Sequence, residues 1–512
     1  MSRISDPPSQ RSQQSSAVIP RLLTEALSHH QAGRLPDAER LYRQILALDP
    51  RHPDGLHLLG VLAHQTGHHE AAVDTIRQAI ANNSRQPSFY SHLGLALQAL
   101  GRMDEAATSY RQALTLNPNF AEAHNNLGNT QKALGDLEPA ILSYERALVL
   151  HPGYVDAHSN LGLSLQLLGR FDEAAAQYER AIARNPEYAH ARWNQALLQL
   201  LFGDFASGLR NYEWRWQSAN KPRNLNRPQW HGEPLNGARI LLDVEQGLGD
   251  TLQFLRYLPM VQAAGGSVVL GVPANLRRLV AELPGLAYLG GSGDPLPPFD
   301  WHCPLMSLPL AFGTTLETIP AQTPYLTVPA DAQRKAAALP WPTDGLRVGI
   351  AWAGSPTHLG DRFRSIPLPL LEPLLHVEGA NFFSLQLGPE AAQLAASQTP
   401  ITDLAPAITD LADTAALMQQ LDLVIAVDTA VVHLAGALNR PVWVMLPFSP
   451  DWRWLLDRED SPWYPSMRLF RQPRFGDWPA VVDAVRAALL AKLQTHGNSL
   501  PPGEIAPSPA IE

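Results

Sequence analysis

A glycine recurs every 34 residues through the first part of the chain, at Gly33, Gly67, Gly101, Gly135, Gly169 and Gly203. Leu-Gly pairs keep the same phase at Leu59-Gly60, Leu93-Gly94, Leu127-Gly128 and Leu161-Gly162. Small residues follow at Ala38, Ala71, Ala106, Ala140 and Ala174, and prolines close units at Pro50, Pro118, Pro152 and Pro186. A fixed period of this length means repeated units, none of which buries its apolar face alone. Each unit is expected to be two helices, with the glycine at the turn and small residues where the helices approach. Stacked units then share a continuous core and leave a concave groove.

The pattern resembles the tetratricopeptide repeat, about six copies over residues 18–220. A groove of that kind suits a peptide or protein; the alternative is a plain spacer. The sixth unit, "GDFASGLRNYEWRW", has Gly208 where a small residue is usual and ends in Trp214 and Trp216. It reads as a cap whose aromatics pack on the next domain. Residues 221–238 read as an irregular linker, and residues 1–17 and 495–512 as unstructured ends.

Composition excludes several classes. The chain has 512 residues, 45% of them apolar and 17% charged, with a net charge of −9, which argues against a broad nucleic-acid-binding face. Four of the 39 basic residues are lysines, Lys132, Lys221, Lys335 and Lys492, so arginine dominates. Cys303 is the single cysteine and cannot form an internal disulfide. No leader-like segment and no run of about 18 apolar residues appears, so a cytoplasmic location is expected.

From Arg239 the grammar changes to short apolar strands alternating with helices: "ARILLDV", "SVVLGV", then after a proline-rich join "LRVGIAW", "NFFSLQ", "DLVIAV" and "PVWVML". Such alternation implies βαβ units and parallel sheets. Two runs, 239–335 and 344–494, suggest two nucleotide-fold halves facing a cleft.

Parallel-sheet proteins bind ligands beyond the carboxyl ends of their strands, and three strand ends carry unusual residues. In "DVEQGLGDTLQF", Gly247 and Gly249 bracket a turn and Asp250 opens a helix, either as an N-cap or as a general base. In "AWAGSPTHLGDRFRSIP", Ser355, Arg362, Arg364 and Ser365 lie on a polar loop suited to a diphosphate, or simply solvated. In "VDTAVVHLAGAL", Asp428-Thr429 begins a helix whose free amides favour an anion, and His433 shares a face with Thr429. The other reading there is a capped helix with a satisfied core histidine. No Asp-x-Asp pair, zinc-type Cys/His cluster or phosphate-binding P-loop occurs. Without an Asp-x-Asp pair to hold a cation on a diphosphate, arginines and the helix end are left to carry the charge.

Taken together, "EQGLGDTLQFLRYLP", "DWHCPLMSLP", "AGSPTHLGDRFRSIPL", "FFSLQLGPE", "DTAVVHLAGALNRPVWVMLPFSPDWRWL" and "SPWYPSMRLFRQ" resemble bacterial tetratricopeptide-repeat-linked glycosyltransferases, some of which modify flagellin. The resemblance implies an α-solenoid followed by an α/β GT-B domain of two Rossmann-like halves, similar to heptosyltransferases. It implies that Asp250 is the base. Gly249, Ser355, Arg362, Arg364, Ser365, Gln386, Asp428, Thr429 and His433 would bind a nucleotide-sugar donor, with no metal and no further cofactor. Arginines stand where heptosyltransferases often show lysine, and the aromatic "DWRW…SPWYP" segment departs from that type, so the donor sugar is not carried over. The expectation is a protein glycosyltransferase whose repeats recruit an acceptor such as flagellin for transfer to Ser or Thr. Its rivals are a heptosyltransferase-like enzyme with a glycan or lipopolysaccharide acceptor, and a non-enzymatic scaffold with a decayed transferase fold.

Overall fold

The computed structural model describes residues 8–218, 225–291, 293–358, 360–397 and 399–497. Its first part is an uninterrupted run of helix pairs: α1 (Pro8–Gln31), α2 (Leu35–Leu48), α3 (Pro53–Gln65), α4 (His69–Asn82), α5 (Pro87–Ala99), α6 (Met103–Leu116), α7 (Ala121–Leu134), α8 (Leu137–Leu150), α9 (Val155–Leu167), α10 (Phe171–Arg184), α11 (Ala189–Leu201) and α12 (Phe205–Tyr212). The periodic glycines have φ between 72° and 90°, the left-handed region that lets a chain leave one helix and enter the next. The in-phase Leu-Gly glycines have a different job. A Cβ at Gly128 would stand 2.6 Å from the ring of Tyr144 on the second helix of the same pair, and Gly94 and Gly162 meet Tyr110 and Tyr178 in the same way. Those tyrosines are fully buried with the alanines one helix turn away, so three of the repeats are closed by an aromatic ring laid on a bare backbone, while Gly60 receives the side chain of Ile76.

Helix α1 begins at Pro8, which corrects the expectation of an unstructured start as far as residues 8–17 are concerned. Residues 1–7, the first part of the expected linker (221–224) and most of the expected unstructured tail (498–512) lie outside the described residues.

The chain divides into two compact units, Met1–Gln166 with Arg170–Ala191, and Leu167–Gly169 with Arg192–Glu512. Most of the last repeat therefore belongs to the same unit as the two sheets. Its attachment is made by Arg215, fully buried, whose guanidinium grips both oxygens of Glu245 at 2.8 Å and also reaches Glu213 and Ser307. Phe205 and Tyr212 pack on Trp452. Trp214 and Trp216, expected to form this seam, instead remain half-buried beside Arg192 and Arg215. The expected linker is ordered in its later part: Gln229 bridges to His302, and Trp230 is buried, with its indole donating to the Glu233 carbonyl.

The two sheets are all-parallel. The first has strands β1 (Arg239–Asp243), β2 (Ser267–Val272), β3 (Leu286–Gly291) and β4 (Trp301–Pro304), in the order β3-β2-β1-β4. The second has β5 (Leu346–Ala351), β6 (Ala380–Ser384), β7 (Ile401–Asp403), β8 (Leu423–Val427), β9 (Val442–Leu446) and β10 (Met467–Arg471), in the order β10-β9-β8-β5-β6-β7. Strand β8 is buried at every position, as befits a strand covered on both faces. Its side chains join those of β5 and of the final helix, Trp478–Gly497, in one apolar core. Both sheets are parallel because each strand returns through a crossover on the sheet face. Their carboxyl ends carry the loops singled out by the sequence.

Candidate active site

The turn after β1 runs into a helix, Leu248–Phe254, whose N-cap is Gly247. Asp250 is thus in the first turn and not at its head, a correction to the N-cap reading. Its Oδ2 reaches back to accept from the Gly247 N–H at 2.9 Å, satisfying an amide that the helix leaves open. Its Oδ1 accepts from Arg453 Nη2 at 2.6 Å. Arg453 follows β9 in the second sheet, so one carboxylate ties the two sheets together at their carboxyl ends. The Arg453 guanidinium is 7% exposed and also pairs with Asp451 at 2.8 Å and Gln253 Oε1 at 2.6 Å, stacked on Trp452. Each hydrogen bond to this buried cation is charge-assisted.

Gly249 makes the same junction from the backbone side. A Cβ there would stand 2.9 Å from His433 Cδ2 and 3.5 Å from the Ala430 Cα, so the helix after β1 lies directly against the helix after β8, Ala430–Ala437. Glycine at this position serves a close approach, not a turn.

At the head of Ala430–Ala437, Thr429 is the N-cap and accepts from the Val431 N–H at 3.3 Å. Asp428 precedes it, buried, and burial followed by the nearby Asp451 carboxylate raises its pKa to about 6. His433 is 5% exposed, stacked on Trp454 and hydrogen-bonded through Nδ1 to Tyr464 Oη at 3.1 Å. Its Nε2 lies 3.9 Å from Asp428 Oδ1. Burial, then the charges of Arg453, Arg256 and Arg364, push its pKa well below the usual imidazole range, so the ring is neutral. His433 therefore forms the wall beneath Thr429 and Asp428.

The loop after β5 comes to the same place. Asp361 opens a short helical turn, accepting from Ser365 Oγ at 2.9 Å and from Arg364 Nε at 3.2 Å. Ser365 Oγ in turn accepts from the Gly354 N–H. Arg364 is half-buried and contributes to the electrostatics of Asp428 and His433, which brings it to the head of Ala430–Ala437. Arg362 is exposed, its guanidinium over the Phe363 ring, and Ser355 is exposed on the loop beside Thr357. His358 has its pKa lowered by burial and by Arg364, with Asp451, Asp361 and Asp250 acting in the opposite sense. Those causes place the first-sheet and second-sheet charges in one neighbourhood.

Gln386 stands apart from the others. Its Oε1 accepts from the Trp352 and Ala353 N–H groups and its Nε2 donates to the Ala353 and Leu387 carbonyls. Every polar position of the amide is spent on backbone, so Gln386 shapes the end of β5 and keeps nothing for a ligand.

Of the expected set, Asp250, Gly249, Arg364, Ser365, Asp428, Thr429 and His433 come together; Arg362 and Ser355 lie on the rim. Sequence reading gave no role to Arg453, Asp451 and Trp454, and named Asp361 only as part of the polar loop without a site role. The signal for three of them was the "DWRW" run, a charge-aromatic alternation following a buried strand. Among the described residues no group of three His, Cys, Asp or Glu side chains is arranged to hold a metal ion. None of the described helices is long and apolar enough to cross a membrane.

Residues 388–445, which carry β8, the helix after it and most of β9, match glycosyltransferase family 9 (heptosyltransferase). Residues 23–87, 99–135, 121–154 and 155–188 match tetratricopeptide repeat families. The chain joins segments that match tetratricopeptide repeats to one that matches glycosyltransferase family 9. Asp428, Thr429 and His433 fall inside that segment; Asp250, Arg362 and Arg364 fall outside it. Protein FlbA of Caulobacter vibrioides is 30% identical over 289 residues, 51% of this chain and 48% of that protein. The chain therefore spans about half the length of this curated relative. Solved structures similar to the repeat part include MamA, 24% identical with a TM-score of 0.30, covering 32% of this chain and 96% of that one. Another is TTC0263, a thermophilic tetratricopeptide protein of Thermus thermophilus, 25% identical with a TM-score of 0.32, covering 36% and 99%. The repeat and family 9 matches support a glycosyltransferase.

Proposed function

We propose that the protein transfers a sugar from a nucleotide-sugar donor to a Ser or Thr hydroxyl of a protein acceptor. Flagellin is the acceptor we favour, held by the repeat groove in the cytoplasm. The observation that carries the reading is the convergence, at the carboxyl ends of two parallel sheets, of a carboxylate from the first sheet with a helix N-terminus and arginine loop from the second. That convergence supports a GT-B reading.

In this reading the donor diphosphate lies at the Thr429 end of Ala430–Ala437, where free amides and the helix dipole favour an anion. Arg364 and Arg362 neutralise it. Burial raises the Asp428 pKa to about 6, so a minor fraction is protonated at neutral pH; an incoming diphosphate favours that form, which can donate to a diphosphate oxygen or sugar hydroxyl. Asp250 takes the proton of the acceptor hydroxyl as its oxygen bonds to the anomeric carbon. The bond from that carbon to the diphosphate breaks, and the electron pair leaves with the nucleotide. Arg453 must slacken its hold on Asp250 for the base to act, or steer it while paired. No divalent metal is needed, because the arginines and helix end carry the charge for which other transferases use an Asp-x-Asp-bound cation.

The family 9 match keeps a glycan or lipopolysaccharide acceptor as the second reading. The deciding experiment is intact-mass analysis of flagellin incubated with the full chain and a panel of nucleotide-sugars, with and without excess chelator. A mass increase of one glycosyl unit that survives chelator is expected. Transfer to a lipopolysaccharide core but not to flagellin overturns the acceptor, and loss with chelator restored by magnesium overturns metal independence.

A further inference from the structure

The turn that presents Asp250 holds a backbone conformation that its residue does not favour. Among the described residues, six that are not glycine have φ in the left-handed region, and four of these are Asn or Asp, which tolerate it. Gln246, at φ 63°, is not of that kind, although glycines stand close by at Gly247 and Gly249. It lies three residues beyond the end of β1 and immediately before Gly247, the N-cap of the helix that carries Asp250. A residue in such a conformation persists only where its surroundings over-determine it.

Those surroundings come from the last repeat. Tyr212, the final residue of α12, is buried; its Oη accepts from Gln246 Nε2 at 3.1 Å and lies 3.4 Å from Gln246 Oε1. Burial raises the phenol to about 12, so Tyr212 is a neutral partner and not a base in its own right. The Arg215 guanidinium lies over the Tyr212 ring at 4.9 Å and grips Glu245, the residue before Gln246. Glu245 Oε1 also accepts from the Met306 N–H at 3.3 Å, which fixes the turn to the end of β4. The Tyr212 ring packs on Trp452 as well, with centroids 6.3 Å apart, next to the Arg453 that pairs with Asp250. Two adjacent residues of the turn are thus each held by one side chain of the last repeat. The same tyrosine touches the segment that supplies the partner of Asp250.

We infer that Tyr212 and Arg215 are positioning residues for sugar transfer, which hold Gln246 left-handed so that the turn delivers Asp250 beside Arg453. The inference rests on the reading of Asp250 as the base. Neither residue touches the reacting atoms; each acts through the turn. With Gln246 relaxed to an extended conformation, the chain would enter the next helix in another direction, and a misplacement of about 1 Å is enough to slow a reaction on the order of 10²-fold. The last repeat is then part of the catalytic machinery, and any fragment that transfers sugar has to include α12.

Removing Arg215 would strand Glu245 in the interior and endanger folding, so the test removes the Tyr212 hydroxyl alone. The full-length wild type, Tyr212→Phe, Gln246→Gly and the double variant are compared by single-turnover transfer from a saturating nucleotide-sugar, with flagellin and a lipopolysaccharide core as acceptors. Donor calorimetry, melting and hydrogen exchange across residues 243–252 accompany the rates. Tyr212→Phe keeps the ring and should transfer roughly tenfold more slowly, with donor affinity unchanged and faster exchange in that segment. Glycine takes the left-handed conformation freely. In the Gln246→Gly background, therefore, adding Tyr212→Phe should change rate and exchange by no more than about twofold. A merely structural role predicts a lower melting temperature with no such dependence on residue 246. Tyr212→Phe at the wild-type rate, or slowed equally in both backgrounds, overturns the inference. Unchanged exchange in Tyr212→Phe beside an active wild type overturns the hold and leaves the reaction standing. Faster exchange in Tyr212→Phe beside a wild type that transfers to neither acceptor leaves the hold standing and removes the reaction.

Discussion

Replacing Asp250 by Asn separates its chemical role from its structural ones, which the geometry shows to be substantial. The carboxylate both closes the first turn of its helix and pairs with a buried guanidinium. Unit charges about 4 Å apart attract by about 4 kcal/mol at an effective dielectric near 20. Arg453 keeps Asp451 and Gln253 in the variant, and the amide oxygen still accepts one hydrogen bond. The net loss for Asp250→Asn should therefore be about 1.5–3 kcal/mol, the range for hydrogen bonds to charged groups. Asp250→Ala also gives up the acceptor for the Gly247 amide and should lose a further ~0.5–2 kcal/mol. If Asp250 is the base, both variants should transfer sugar about 10²–10⁴-fold more slowly while donor affinity changes little. Chemical denaturation, donor calorimetry and single-turnover transfer, all well below the melting temperature, give the three readouts. An Asn variant that transfers within a few-fold of wild type while the Ala variant merely melts lower would refute the catalytic role and leave Asp250 as a clamp between the sheets.

Gly249→Ala should destabilise the second unit by roughly 1–3 kcal/mol through overpacking, since the new methyl meets a His433 ring pinned by Trp454 and Tyr464; a variant as stable as wild type would show that this junction yields. Asp428→Asn carries a pH signature. The fold raises the Asp428 pKa from 3.8 to about 6, so the charged form costs stability above about pH 6, and the cost fades as pH falls towards 3.8. The Asn variant should therefore exceed wild type by on the order of 1–3 kcal/mol near pH 8, with the difference shrinking by about pH 4.5; a pH-independent or inverted difference in unfolding free energy refutes this. Arg362→Ala, at an exposed site, should weaken donor binding by about tenfold or more without changing stability, whereas Arg364→Ala should affect both because it also loses Asp361. Unchanged donor calorimetry in both variants would remove this loop from the donor site.

The repeat architecture was legible in the sequence because its causes are local. A left-handed glycine lets the chain leave one helix for the next at a fixed spacing, and in three repeats the Leu-Gly glycine takes a tyrosine ring, so the period appears directly in the letters. Several apolar strands were legible for the same kind of reason: "SVVLGV" and "DLVIAV" are apolar runs of strand length, and β2 and β8 lie within them, whereas the six-residue β3 (Leu286–Gly291) was not read as a strand. Strand β4 (Trp301–Pro304) and the three-residue β7 (Ile401–Asp403) were not, because short or mixed segments carry no period and become strands only by pairing with a neighbour already in place. The tertiary structure alone decided the site. Asp250 and Arg453 are separated by 203 residues, and nothing in either segment announces the other. The same holds for Gly249, whose small size answers to His433, and for Gln386, whose amide is consumed by the end of β5. A side chain's local pattern determines which element it joins; what it touches is set by how distant elements pack, and there burial and charge pairing outweigh any preference written in its neighbours.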